Sequence, residues 1–220
     1  MNMTKDYLPD TSIDIFQYDD MFRMNTDTAL LGNFMKVNED DYVLDIGTNN
    51  GALLLYASRY TFNLYGVDML DEAIKLAKYN FNYHNLDDSN LYVSKIQDIV
   101  FDIKFDCIVC NPPYFKNHSP QRGKNYFKSV ARHEMYLDLN ELCASVNINL
   151  KEMGRFYMVH RAERIPDICI TLNKYGLTIK NMQFMYDESK ECAITVLIEA
   201  FKHSNEGCKV LQPIFRTRNK

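Results

Sequence analysis

The segment Tyr42-Val43-Leu44-Asp45-Ile46-Gly47-Thr48-Asn49-Asn50-Gly51 is the strongest indicator of fold in this 220-residue chain. Its first five residues have the composition of a buried strand, and they lead into a turn with two glycines. The stretch from Ala52 to Arg59 then follows as a helix. A strand, a glycine turn and a helix in this order bring backbone N–H groups and a helix N-terminus to a nucleotide-like ligand. The segment therefore predicts the first unit of an α/β protein.

The spacing of this turn differs from that of a dinucleotide site. A pyrophosphate-binding turn reads G-x-G-x-x-G, whereas the residues from Asp45 to Gly51 read D-x-G-x-x-x-G. An acid at the strand end repels an anionic ligand and suits a cationic one, such as the sulfonium and amino groups of S-adenosyl-L-methionine. The next predicted strand, Asn63 to Val67, ends on Asp68, which can accept hydrogen bonds from both ribose hydroxyls. Taken alone, Asp68 is also explained as a helix cap.

A second motif, Asn111-Pro112-Pro113-Tyr114, directly follows the apolar strand Phe105 to Cys110. Ligands of open α/β sheets bind outside the carboxyl ends of the strands, so this loop lies where chemistry is expected. The side-chain carbonyl of Asn111 and the backbone carbonyl of Pro112 can each accept an N–H from a planar amino group, which frees its lone pair for attack. The fixed φ of proline holds the second carbonyl in place. Tyr114 would stack on the substrate. In isolation, the motif equally describes a rigid turn with a capping asparagine.

With these motifs the chain resembles the class I S-adenosyl-L-methionine-dependent methyltransferases. More narrowly, it is similar to the bacterial tRNA1(Val) adenine-N6 methyltransferases, which modify the adenosine next to the anticodon. One departure is the pair Asn49 and Asn50, where many relatives have Gly or Ser; asparagine tolerates the left-handed conformation and can still form the turn. The segments that carry the resemblance are Phe22 to Leu31, Asp45 to Gly51, Gly66 to Asp68, Asn111 to Tyr114, Ala131 to Glu134 and Gly154 to Arg161.

The resemblance implies a Rossmann-like α/β fold with a mostly parallel seven-stranded sheet, an antiparallel last strand and helices on both faces. It implies a single methyltransferase domain over residues 1–220, in which residues 1–40 complete the cofactor and substrate site. S-Adenosyl-L-methionine is the implied cofactor and tRNA the implied partner. Two of the implied cofactor ligands, Asp98 and Asp27, are explained almost as well as helix caps. The expected cofactor-binding residues are Asp45, Gly47, Gly51, Asp68, Asp98 and Asp27, and the expected catalytic residues are Asn111, Pro112 and Tyr114.

Strand and helix patterns alternate along the rest of the chain, which predicts a parallel sheet. Thr26 or Asp27 is expected to cap a short helix that runs through Met35. Two closing strands, Leu177 to Tyr186 and Ala193 to Phe201, have no helix between them and so predict an antiparallel addition. The other predicted helices cover residues 71–85, 137–150 and 162–174, and the other predicted strands cover residues 91–93 and 154–159.

A local excess of positive charge indicates the class of substrate. The whole chain has a formal net charge of -4, yet the segment from Phe115 to His133 contains five cations and no acid. The tail from Lys202 to Lys220 adds five cations against one acid. Basic segments in an acidic protein are typical of contacts with a phosphate backbone. The alternative is a solvated loop that lacks acids. The expected RNA-binding residues are Lys116, Arg122, Lys124, Lys128 and Arg132.

Composition argues against several other classes of protein. The sequence has no run of 18 apolar residues and no secretory signal, so we expect a cytoplasmic protein without membrane contact. Cys107 and Cys110 form a C-x-x-C pair without a second half, so no metal site is expected. We expect a monomer or a weak dimer.

Three alternatives share part of these features. Release-factor glutamine methyltransferases use the same Asn-Pro-Pro-Tyr loop on an amide nitrogen, but they usually carry a sizeable helical N-terminal domain, and here only about 40 residues precede Tyr42. A DNA adenine methyltransferase normally needs a recognition domain or long insertions to read a duplex. A noncatalytic RNA-binding scaffold would have no need of Asn111.

Overall fold

The computed structural model describes residues 2–112 and 137–216. Within these ranges no helix is both long and apolar enough to span a membrane. The helices are α1 (Thr26–Phe34), α2 (Ala52–Ala57), α3 (Asp71–Tyr83), α4 (Leu139–Asn149) and α5 (Ile165–Lys174), with a 3-10 turn at Ala162–Arg164. The strands are β1 (Met3–Tyr7), β2 (Asp14–Tyr18), β3 (Val43–Ile46), β4 (Leu64–Asp68), β5 (Leu91–Val93), β6 (Phe105–Cys110), β7 (Leu150–Arg161), β8 (Leu177–Asp187), β9 (Thr195–Lys202), β10 (Lys209–Val210) and β11 (Ile214–Arg216).

In the described part of the chain, nine strands form the main sheet. Eight of them lie in the order β10, β8, β9, β7, β6, β3, β4, β5, and β11 also pairs with β8. Strand β9 is antiparallel to both of its neighbours, β7 and β8, and the other pairs are parallel. Seven of these strands make up the predicted sheet with its antiparallel last strand, which is confirmed. The tail adds β10 and β11, which are too short to show a readable alternation in sequence.

Helices cover both faces of the sheet because the central strands are apolar on both sides. In β6, Cys107 and Val109 pack in the same core as residues of α1 and α2. Their neighbours Ile108 and Cys110 point the other way and pack with residues of α4 and α5. The predicted two-sided helical cover is therefore confirmed.

The N-terminus of α1 differs from the prediction by one residue. Asn25, and not Thr26 or Asp27, is the N-cap, and its side-chain oxygen accepts a hydrogen bond from the backbone N–H of Thr28 at 3.0 Å. Because Asn25 caps the helix, the Asp27 carboxylate and the Thr28 hydroxyl can also contact residues outside the helix.

An N-terminal hairpin, formed by β1 and β2, is fastened to the rest of the protein by buried amide side chains. Asn80 of α3 is fully buried, accepts from the Phe16 N–H at 2.8 Å, and donates to the Phe16 carbonyl at 3.0 Å and the Asn50 carbonyl at 2.9 Å. The Gln17 side-chain oxygen accepts from the Met24 N–H at 2.7 Å and from the Asn50 side chain at 3.3 Å. The hairpin, α3 and the glycine turn are thus one hydrogen-bonded unit.

We expect Asn80→Ala to destabilise the protein by about 2–3 kcal/mol, because it leaves three backbone groups without a partner, two at half-buried Phe16 and one at buried Asn50. The matched control is Asn82→Ala on the same helix, an exposed side chain with one bond to Asp88 at 2.8 Å, which should change stability by less than about 0.5 kcal/mol. Urea unfolding of both variants measures the difference. Equal unfolding midpoints would show that the Asn80 network does not hold the hairpin.

Candidate active site

The carboxyl ends of the parallel strands open into a cavity of about 650 Å3. This is the edge of an open α/β sheet at which ligands bind. We call the part of the cavity next to β3, β4 and the segment after β5 the β3–β4 half. The part next to the ends of β7, β8 and β11 and the start of β9 is the β7–β11 half. Asn111 and Pro112, which follow β6, lie between the two halves, and Asn25 to Thr28 at the start of α1 form a wall.

Asp45, at the end of β3, is the buried acid of the β3–β4 half. Its side chain is 1% exposed, and its Oδ1 has no hydrogen-bond partner among the described residues. The pKa of this carboxyl is raised to about 7, mainly by burial and to a smaller extent by the carboxylate of Asp68, while the adjacent Thr48 hydroxyl lowers it. The hydroxyl of Thr48 lies beside this carboxyl and is buried as well. Unsatisfied polar atoms on a cavity wall indicate that a polar or cationic ligand belongs there.

Asp68, at the end of β4, fixes the turn that faces it. Its Oδ2 accepts from the Asn49 N–H at 2.9 Å and its Oδ1 from the Leu70 N–H at 3.0 Å. Burial raises the pKa of this carboxyl as well. Each carboxylate oxygen has a second lone pair. The carboxylate can therefore hold the turn and still accept from ligand hydroxyls.

The turn itself has the backbone geometry that its sequence predicts. Asn49 adopts a left-handed φ of 49°, and Gly47 and Gly51 have φ values of 76° and 81°. The Asn49 side chain donates to the Phe22 carbonyl at 2.7 Å, which ties the turn to the N-terminal segment. Gly47 lines the cavity, whereas Gly51 caps α2 behind the cavity and acts through the shape of the turn.

The amide of Asn111 is oriented by two hydrogen bonds in series. The Thr28 hydroxyl donates to Asn25 Oδ1 at 3.2 Å, and the same hydroxyl oxygen accepts from Asn111 Nδ2 at 3.0 Å. Asn25 Oδ1 is only an acceptor, so the hydroxyl proton points toward it and the hydroxyl lone pair points toward Asn111. The amide nitrogen of Asn111 therefore faces α1, and its carbonyl oxygen faces away from α1.

The other two predicted acids lie in different places. Asp27 lines the cavity, and its Oδ1 accepts from the Thr195 hydroxyl at 3.1 Å. Asp98 is exposed, its N–H donates to the Lys95 carbonyl at 3.1 Å, and it does not line the cavity. The segment from Ser94 to Gln97 lines the cavity instead. The structure therefore brings Asp45, Gly47, Asp68, Asp27, Asn111 and Pro112 together, but not Asp98.

Several predicted residues lie outside the described ranges and stay predictions. They are Tyr114 of the catalytic loop and the RNA-binding residues Lys116, Arg122, Lys124, Lys128 and Arg132. Across residues 2–112 and 137–216, no group of three or more His, Cys, Asp and Glu side chains could hold a metal ion.

The structure also adds residues that sequence reasoning did not assign to the site. Thr28 and Asn25 orient Asn111, and their only sequence signal is their place in the segment Phe22 to Leu31 that carries the family resemblance. Arg161 and Arg216 line the β7–β11 half. Arg216 belongs to the basic tail, but only the pairing of β11 with β8 shows that it reaches the cavity.

Solved structures confirm the fold. The M. jannaschii tRNA m1G37 methyltransferase superposes with a TM-score of 0.66 at 14% sequence identity, over 91% of this chain and 54% of that one. The T. thermophilus 16S rRNA N2 G1207 methyltransferase, solved in complex with AdoMet and guanosine, gives a TM-score of 0.62 at 16% identity, over 91% of this chain and 50% of that one. At these identities the likeness establishes a class I methyltransferase fold.

Sequence relatives identify the family. The model of the methyltransferase small domain family matches residues 15–164. The tRNA1(Val) (adenine(37)-N6)-methyltransferase of Phocaeicola vulgatus is 29% identical over 86% of this chain and 80% of its own length, and that of Cytophaga hutchinsonii is 32% identical over 78% and 74%. A release factor glutamine methyltransferase of Pasteurella multocida is 32% identical, but over only 57% of this chain and 49% of its own length. This chain therefore belongs to the methyltransferase small domain family and, within it, to the tRNA1(Val) (adenine(37)-N6)-methyltransferases.

Proposed function

We propose that this protein transfers the methyl group of S-adenosyl-L-methionine to the N6 amine of the adenosine 3′ of the anticodon in a tRNA. The observation that carries the proposal is the oriented Asn111 amide, which lies between the β3–β4 half and the β7–β11 half of one cavity. The relatives named for this reaction on tRNA1(Val) support the same substrate.

The residues of the β3–β4 half fit S-adenosyl-L-methionine. Asp45 is a buried carboxylate with an unsatisfied oxygen, which suits a positively charged group. Asp68 can accept hydrogen bonds from ribose hydroxyls at the end of β4. When bound, the cofactor supplies a methyl group activated by positively charged sulfur. The protein's task is then to hold this group and the acceptor nitrogen in line.

Asn111 and Pro112 prepare the acceptor nitrogen. An adenine amine is a poor nucleophile because its lone pair is delocalised into the ring. The side-chain carbonyl of Asn111 and the backbone carbonyl of Pro112 each accept one N–H, which favours a tetrahedral nitrogen with an available lone pair. Tyr114, in this proposal, stacks on the base. An anticodon-loop base is unpaired, so turning it into the cavity costs little.

The proton lost after transfer passes to water in this proposal. His160 directly precedes the cavity residue Arg161, but it is buried and does not line the cavity. Burial lowers its pKa to about 4, and its Nδ1 accepts from the Arg161 N–H at 2.8 Å. Its geometry therefore argues for a structural role.

Incubation with S-adenosyl-L-methionine and unmodified tRNA, followed by nucleoside mass spectrometry, tests the function. Release factor protein serves as a parallel acceptor. We expect N6-methyladenosine at the anticodon loop. Methylglutamine in the release factor with unmodified tRNA would keep the amine chemistry and overturn the substrate.

We expect Asn111→Ala to slow methyl transfer by about 100-fold or more, because the transition state loses a positioned carbonyl. The dissociation constant for S-adenosyl-L-methionine should stay within severalfold of the wild-type value. Asn82→Ala, an exposed asparagine far from the cavity, should transfer at the wild-type rate. Single-turnover rates and calorimetric titrations measure both quantities, and an Asn111→Ala variant that keeps most of its rate contradicts the assignment.

We expect Thr28→Val to lower kcat by about 10- to 100-fold with little change in cofactor affinity, because the Asn111 amide loses its orienting acceptor. Thr28→Ser keeps the hydroxyl and should restore most of the rate. A purely structural role would instead lower thermal stability and leave kcat unchanged. The comparison of kcat, KM and melting temperature among the three proteins separates the two roles.

We expect cofactor affinity to depend on pH through Asp45, whose pKa is raised to about 7 in the free protein. Only the ionised carboxylate attracts a cation, so affinity should weaken as the pH falls below about 7 and level off above about 8. In Asp45→Asn the affinity should be lower and this pH dependence should disappear. Calorimetry between pH 5.5 and 8.5 measures both profiles, and a flat wild-type profile would contradict the role of Asp45.

A further inference from the structure

We propose that the β7–β11 half of the cavity is a phosphate subsite, in which Arg161 and Arg216 bind phosphodiester groups of the RNA that flank the target nucleotide. This inference rests on the proposed function and names the side of the cavity from which the RNA backbone approaches.

The first observation is the separation of charge along the sheet edge. Asp68 and Asp45 stand at the ends of β4 and β3, on one side of Asn111. Arg161 ends β7 and Arg216 ends β11, on the other side. The acidic side suits a cationic ligand, and the basic side suits an anion. The two signs of charge therefore match a cationic sulfonium donor on one side and an anionic phosphodiester substrate on the other.

The second observation is the way in which the tail carries Arg216 to the cavity. Strand β11 pairs in parallel with the end of β8, so that Phe215 lies beside Tyr186 and Arg216 beside Asp187. The rings of Phe215 and Tyr186 stack with centroids 5.8 Å apart. The pairing and the stacking hold Arg216 at the rim, where it is exposed and lines the cavity.

Among the described residues that line the β7–β11 half, the two arginines outnumber the carboxylates. Asp187 is buried, does not line the cavity, and its Oδ1 accepts from the N–H and the hydroxyl of Ser189 at 2.9 and 2.6 Å. Asp27 is the one carboxylate among the described residues that line this half, and its Oδ1 accepts from Thr195. Arg216 forms no ion pair with any residue in the described part of the chain.

The spacing of the two arginines fits an extended backbone better than a single ion. Strands β9 and β8 lie between β7 and β11, and neighbouring strands are about 4.8 Å apart. Arg161 is in register with Ile214, two residues before Arg216, so the two Cα positions are separated by roughly 16 Å. Two guanidinium groups at this distance can each bind one phosphate through paired N–H donors. The target base would then point toward Asn111 while its strand runs along the rim toward β11.

The experiment measures binding of an unmodified anticodon stem-loop RNA by fluorescence anisotropy at several salt concentrations. The variants are Arg161→Gln, Arg216→Gln and the double variant. The matched control is Lys104→Gln, which removes an exposed cation beside the start of β6, at the opposite edge of the sheet. Melting temperatures show that each variant is folded, and titration with S-adenosyl-L-methionine shows that the β3–β4 half is intact.

We expect each arginine variant to raise the Kd for RNA by about threefold or more and to reduce the slope of log affinity against log salt by about 0.7 per lost phosphate contact. The double variant should combine both effects, and cofactor affinity should not change. Lys104→Gln should bind RNA like the wild type. Folded arginine variants with the Kd and salt slope of Lys104→Gln would overturn the subsite, as would a loss that appears with release factor protein but not with RNA.

The outcome for the subsite is separable from the outcome for the proposed function. Failure of the wild-type protein to form N6-methyladenosine would refute the function. The binding comparison needs no turnover, so it decides in either case whether these arginines contact RNA phosphates.

Discussion

The arrangement of the N-terminal hairpin, α3 and the glycine turn depends on one buried amide, the side chain of Asn80. Its amide accepts from the N–H of Phe16 and donates to the carbonyls of Phe16 and Asn50, so that β2, α3 and the glycine turn are joined through this side chain. Through Gln17 the same network reaches Met24, and from there the chain enters the wall that contains Thr28. An unpaired polar group in such a buried place is costly, which makes the arrangement specific as well as stable.

Much of the fold and the centre of the site could be predicted from sequence, because their signals are local. The glycine turn at Gly47 to Gly51 and the pair Asn111 and Pro112 each follow an apolar strand, as predicted. Local signals are ambiguous where neighbouring residues have the same propensity. Asn25, Thr26 and Asp27 can all cap a helix, and only the structure selects Asn25.

Contacts between distant segments could not be predicted. The hydrogen bond between Thr28 and Asn111 joins residues 83 positions apart, and no local sequence pattern around one residue indicates the other. Arg216 reaches the cavity through a three-residue strand, which is too short to have a sequence pattern. Asp98 follows β5, as the sequence indicates, but Ser94 to Gln97 line the cavity in its place, and its contact with the cofactor stays a prediction.

During synthesis, the residues of the hairpin are made before the residues that hold it in place. Phe16 is made 64 residues before Asn80, and Thr28 is made 83 residues before Asn111. At a translation rate of roughly 5–20 residues per second, Phe16 waits for several seconds before Asn80 is made. During that time the edges of β1 and β2 can pair only with each other or with solvent. The segment that completes the site is therefore made before the side chains that hold it, and it reaches its final form only after they have been made.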